Sequence, residues 1–139
     1  MLEDIQMRNP FVKMLALVAA ALLLFGCDSD PGRVEVERFY SEKVMAVNEA
    51  ANRLAAAKKI DEAITAMEKG FKALNEAIAP EAALFKKYPG AEKNPAIKRL
   101  QDDYQSASDK FSREVETLPN RFEADPKLIE VLGRMKKRF

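Results

Sequence analysis

The sequence predicts an all-α protein: an up-down antiparallel bundle of three long helices with a short carboxyl-terminal helix added. Three observations predict it. Apolar residues recur at steps of three and four through most of residues 31–139, the period of one helical face. No stretch keeps the strict alternation of a half-buried strand. The pairs Asp30-Pro31, Asn94-Pro95 and Asp125-Pro126 each join a side chain that caps a helix to a proline, whose missing N–H costs nothing in a first turn. Several amphipathic stripes, none able to bury itself alone, must face one another, and short connections make neighbours antiparallel.

Composition agrees with this class. A chain of 139 residues forms one domain with a real core, and 47% hydrophobic with 32% charged residues suits a helix-rich globule. Lys and Arg total 23 against 22 Asp and Glu, which gives no pull toward nucleic acid. Removing Glu3, Asp4, Arg8 and Lys13 with the leader described next leaves that balance unchanged. One cysteine excludes an internal disulfide, so the fold must rest on packing.

The first element is "MRNPFVKMLALVAAALLLFGC", Met7 to Cys27. Arg8 and Lys13 precede an uninterrupted apolar block from Met14 to Phe25, and small Gly26 follows. A positive region, a short apolar region and a small residue make a secretory signal. The block is shorter than the roughly 20 apolar residues of a membrane span. Met7 is an alternative start to Met1, because Glu3 and Asp4 do not suit a positive leader. Leu24-Phe25-Gly26-Cys27 resembles the lipobox of bacterial lipoproteins, with Phe25 bulkier than the usual residue there.

The resemblance implies cleavage before Cys27, a diacylglyceryl group on its thiol and further acylation (palmitate-type chains) at the new amino terminus. Residues 1–26 are then a cleaved signal peptide, 27–30 a lipidated tether and 31–139 the helical bundle domain. Leu24, Phe25 and Gly26 would be read by the signal peptidase. Two or three acyl chains make anchoring stable, at about 0.8 kcal/mol per buried methylene, where one chain binds only marginally. Asp28 resembles a signal for retention in the inner membrane of some Gram-negative bacteria; its alternative is a polar tether residue. The expected location is the cell membrane or the outer membrane, with the body on the extracytoplasmic side.

The remaining elements follow in order. Val36, Tyr40, Val44, Val47, Ala51 and Leu54 form the first helical face. "AAAKKIDEA" interrupts it, with Lys58 and Lys59 suited to a helix end and Asp61 and Glu62 to the next start through the helix dipole. Ile60, Ile64, Met67, Phe71, Leu74 and Ile78 form the second face, which Ala82 and Phe85 continue past Pro80. Proline removes a helical hydrogen bond, so either one bent helix reaches about Lys87 or the helix breaks near Ala79. "KYPGAEKNP" is the strongest loop. The third face is Ile97, Leu100, Tyr104, Ala107, Phe111, Val115, Leu118 and Phe122, and the last is Leu128, Leu132, Met135 and Phe139.

Chemistry-bearing patterns are few. "AANRLAAAKKIDEAITAMEKGFKAL" resembles one tetratricopeptide repeat through Ala51, Leu54, Ala63, Met67 and Gly70. A shift of about 34 residues puts Ile97 and Tyr104 where alanine and glycine belong, so an ordinary helical hairpin is expected. Glu35, Glu37, Glu62, Glu68, Glu76, Asp102, Asp103, Glu114 and Glu116 lie mostly off the apolar faces and read as solvated. With no histidine, the Glu-x-x-His di-iron pattern, His-ligated haem or zinc, and His-paired nucleophiles are excluded. No metal and no cofactor is expected beyond the covalent lipid on Cys27.

Arg134, Lys136, Lys137 and Arg138 could rest on an anionic membrane; the plainer alternative is a solvated helix end favoured by its dipole. Tyr40, Phe71, Tyr104 and Phe111 could line a pocket, though such residues more often form the core. The leading expectation is a non-enzymatic, lipid-anchored factor that binds or assembles another envelope protein. The alternatives are a bundle holding a small apolar ligand, a tetratricopeptide-like adaptor and, least favoured, an enzyme using carboxylates.

Overall fold

The computed structural model describes residues 31–137. The expectations for Leu24, Phe25, Gly26, Cys27, Asp28, Asp30, Arg138 and Phe139 lie outside the described residues. Within them the chain is all-α, a helical bundle of four helices and one 3₁₀ turn without strands: α1 (Pro31–Ala56), α2 (Ile60–Lys87), the 3₁₀ turn Ala91–Lys93, α3 (Pro95–Arg121) and α4 (Pro126–Lys136).

Two starts follow the expected capping. The Asn94 side chain accepts from the Ala96 N–H at 2.9 Å, and Asp125 accepts from the Lys127 N–H at 2.9 Å. The break between α1 and α2 contains neither glycine nor proline, and the structure supplies the reason it still holds. Arg121, at the end of α3, donates from Nη1 to the Leu54 carbonyl at 3.0 Å. Its Nη2 donates to the carbonyls of Ala55 at 3.3 Å and Ala57 at 2.8 Å. The last carbonyls of a helix have no partner inside it, and here one guanidinium serves two of them and the carbonyl of Ala57 just beyond. On the other side, Glu62 Oε2 accepts from the N–H groups of Lys58 at 3.2 Å and Lys59 at 3.3 Å. The turn between α3 and α4 uses a different device: Glu123 and Ala124 both adopt φ of 51°, a region that L-residues enter at a cost of roughly 1–2 kcal/mol each.

Of the two readings of α2, the structure has one helix running through Pro80 to Lys87. Its buried stripe does not keep the expected phase. Ala77 is buried, Glu81 and Leu84 are half-buried, and Ile78 is 65% exposed with Ala82 also exposed. The inward side shifts to Ala77, Glu81 and Leu84, while Phe85 keeps the expected phase, half-buried against the smaller cluster described below. On α4, Val131 is buried beside Leu128, while Leu132 and Met135 are half-buried.

Two clusters carry the core. The larger joins Val47, Ala51 and Leu54 of α1 to Ala63, Ile64 and Met67 of α2, Phe111 and Leu118 of α3, and Leu128 and Val131 of α4. The smaller joins Val36, Tyr40 and Ile97, with Phe85, Tyr88 and Leu100 packed around them. Tyr104 touches both. Helix α1 packs extensively on both α2 and α3, which meet each other only over a narrow zone. In that zone the Phe111 ring lies on the backbone of Gly70, and a methyl group there would overlap it. Phe71 meets the same ring edge-on, with centroids 5.3 Å apart. Ala51, Leu54, Ala63 and Met67 are buried in the larger cluster that α1 and α2 share, as a helical hairpin requires, while Gly70 is buried against Phe111 of α3.

Two measurements probe these contacts. Gly70→Ala gains about 1 kcal/mol of helix propensity but forces the Phe111 ring to move, so a net loss of about 1–3 kcal/mol is expected in urea denaturation. Combining it with Phe111→Leu should cost less than the sum of the two single changes. Arg121→Ala should destabilise by about 1.5–3 kcal/mol, the range for hydrogen bonds to a charged group, with Arg121→Lys recovering only part because one ammonium cannot span three carbonyls.

Candidate functional site

The densest polar feature inside the described residues is a knot at the end of the bundle where α1 begins. Tyr40, 1% exposed, stands on α1 with its ring against Phe39, Phe85 and Tyr104, at centroid distances of 5.3, 6.4 and 6.1 Å. Its hydroxyl donates to Glu81 Oε2 at 2.9 Å and accepts from Gln101 Nε2 at 3.3 Å. Three helices thus meet at one phenol oxygen. Burial pushes the Tyr40 phenol well above its ordinary range, with the Glu81 carboxylate adding to the effect. Tyr104 is shifted the same way, by burial first and by Glu81 second.

A second, exposed group closes the same end. Tyr88 donates to Glu35 Oε2 at 2.6 Å and Lys87 Nζ donates to it at 3.2 Å. These bonds, Tyr88's above all, hold the Glu35 carboxyl below the usual range, and Lys87 is raised by the same partners. The Tyr88 ring lies over Gly32 so closely that a Cβ there would overlap it. The first turn of α1 is therefore fixed beneath the turn that leads from α2 to α3.

The residues singled out as possible pocket walls are split between two places. Tyr40 and Tyr104 belong to the knot, whereas Phe71 and Phe111 pack together in the larger core. Shallow surface concavities flank the knot, and another of about 510 Å3 runs between α1 and α2, walled by Arg53, Ala57, Asp61, Glu62, Ala66 and Lys69. Its mixed charges offer no single recognisable chemistry. Among the described residues no group of three or more His, Cys, Asp or Glu could hold a metal ion, and no helix is long and apolar enough to cross a membrane. Arg134 on α4 and Lys137 just past its end are exposed. That helix packs on the larger cluster, at the end where Lys127 pairs with Asp61 at 2.5 Å, and so stands away from the first turn of α1.

Glu81, Gln101 and Arg121 escaped the sequence reading. A signal existed for Glu81: it lies four residues after Ala77 and three before Leu84, a carboxylate on an inward stripe. Nothing local marks Gln101 or Arg121, since their partners are 61 and 67 residues distant. Compared with protein families, curated proteins and solved structures, the chain matches none of them.

The raised Tyr40 phenol has a signed consequence. The unfolded chain releases this proton at a pH of about 10 and the folded chain only at higher pH. Its contribution to stability is therefore fully present below about 10 and is lost as pH rises through the folded value. Tyr40→Phe should cost about 1–2 kcal/mol at neutral pH, through the bonds lost at Glu81 and Gln101. It should also flatten the alkaline fall in unfolding free energy measured by denaturant titration across pH.

Proposed function

We propose that this chain is a lipid-anchored protein of the bacterial cell envelope, held by acyl chains on Cys27, whose helical body binds or helps assemble another envelope protein without catalysing a reaction. The observation that carries the reading is a coincidence in the sequence. Arg8 and Lys13, an apolar block too short for a comfortable span, and the sole cysteine follow one another just before α1 opens at Pro31. Cys27 is then an attachment point rather than a redox or catalytic thiol. Leu24, Phe25 and Gly26 direct its processing, and Asp28 is the candidate sorting residue.

For the body we infer an up-down order of the three long helices. The pairing of Glu35 with Lys87 and Tyr88 near one end supports it, as does that of Leu54 with Arg121 near the other. Such a rod presents long helical faces to a partner. Mixed charge and stably paired polar side chains on those faces suit protein association better than nucleic acid.

Cys27→Ser is expected to remove the acyl mass and to move the protein from the detergent-rich to the aqueous phase on detergent phase separation. An unchanged intact mass and unchanged partitioning would overturn the anchor. Purification from solubilised membranes should return a reproducible protein partner, and its repeated absence after mild cross-linking counts against the assembly role.

A further inference from the structure

We infer that α4 is exchanged between two copies of this chain, each body holding the other's α4 in the seat that its own α4 occupies in the closed monomer. The partner is a second copy, and the surface is the seat on α2 and α3, the helices that α4 packs on. The inference does not require the lipid anchor.

The hinge is marked by strain. Among the described residues only Glu123 and Ala124 have backbone in the left-handed region, both at φ of 51°. They are consecutive, and the turn from Phe122 to Asp125 contains no glycine. Each such residue disfavours the closed turn by about fivefold to thirtyfold. Short hinges under strain favour exchange of the element that follows them.

Extending Glu123 and Ala124 relieves that strain and breaks little else. The Phe122 N–H closes α3 by donating to the Leu118 carbonyl at 3.0 Å, and the Lys127 N–H opens α4 by donating to the Asp125 side chain at 2.9 Å. Both bonds lie outside the two strained residues. Those given up run from the Ala124 N–H to the Pro119 carbonyl at 2.7 Å and from the Asp125 N–H to the Phe122 carbonyl at 3.1 Å. Glu123 and Ala124 are exposed, so water replaces these bonds. The opened hinge does not fuse α3 to α4, because Pro126 pushes Asp125 into extended backbone. Three extended residues reach about 10 Å, which carries α4 off its own body as a separate helix.

The seat is self-contained. Helix α4 buries Leu128 and Val131 and half-buries Leu132 and Met135 in the larger cluster, and Lys127 pairs with Asp61 at 2.5 Å. All five residues follow the hinge, while α2 and α3 precede it. The α4 of a second copy therefore reproduces every one of these contacts. An α4 without a seat exposes Leu128 and Val131 to water, and a second opened copy offers the seat that fits them.

The test co-expresses two variants of the full chain, Asp61→Asn and Lys127→Gln, with different affinity tags, and purifies them together in mild detergent. A carbodiimide then joins carboxylates to the amines they touch. Neither variant keeps the Asp61–Lys127 pair within one chain. A bond between residues 61 and 127 therefore forms only where Lys127 of the first variant meets Asp61 of the second. Peptide mass spectrometry should find it in a covalent pair of the two tagged chains. The matching variants Glu35→Gln and Lys87→Gln, whose pair lies within the body, should give no bond between residues 35 and 87. Glycine enters the left-handed region freely, so Glu123→Gly with Ala124→Gly, added to both tagged chains, should lower the yield of the 61–127 bond at least about tenfold. Proline cannot adopt φ of 51°, so Ala124→Pro should raise that yield several-fold, with dimer replacing monomer in light scattering. The inference is overturned if the co-expressed variants form no 61–127 bond under conditions where the unaltered chain does. A 35–87 bond in equal yield overturns it too, as does a 61–127 yield that the glycine changes leave unmoved.

Discussion

Helix α1 is the wall on which the rest of the structure is built. Its single buried stripe, from Val36 through Tyr40, Val47 and Ala51 to Leu54, must serve two neighbours at once, because α2 and α3 scarcely reach each other directly. Small residues make this possible. Ala50, Ala51, Ala63 and Ala66 are buried along the contact of α1 with α2, letting the backbones approach while larger side chains fill the third side. Where α2 and α3 do meet, the bulk is reversed: Phe111 supplies a whole ring and Gly70 no side chain at all. Close packing of this kind tolerates neither an added methyl nor a void.

The two ends of this wall are closed by different chemistry. At the far end Arg121 reaches across from α3 to the open carbonyls of α1, so the turn needs no glycine cap. At the near end polar side chains from three helices converge on Tyr40, and Tyr88 covers Gly32. Among the described residues no buried polar side-chain atom lacks a partner. The polar groups that do enter the interior therefore fix register between helices at little desolvation cost. The exposed ion pairs within one helix, such as Arg38 with Glu42 and Arg53 with Glu49, by contrast contribute little.

This arrangement gives the proposed anchor a mechanical meaning. A tether of four residues onto a well-packed helix end leaves the body little freedom relative to the bilayer. Under that proposal one end of the rod would be held at the surface, and the grooves between α1 and α2 would be carried outward from it. A partner would meet helical faces whose rotation is restricted by the short connection, which lowers the ordering cost of association.

The sequence by itself determined the class and most helix boundaries to within a residue or two, while leaving open whether α2 runs through Pro80 or breaks near Ala79. Capping pairs such as Asn94-Pro95 act over two or three residues, and amphipathic period is a property of each segment alone. It likewise excluded every site that needs histidine, since composition is a sequence fact. The lipobox resemblance is also wholly local, and lies in residues outside those described. Tertiary structure alone decided which side of α2 turns inward past Leu74. Ile78 matches its helix's own period but finds no neighbour there, while Glu81 finds Tyr40. The same holds for Arg121, whose partners are distant in the chain. Local rules say what a helix can present; only the position of its neighbours says which part of that face is covered, and burial follows the neighbour.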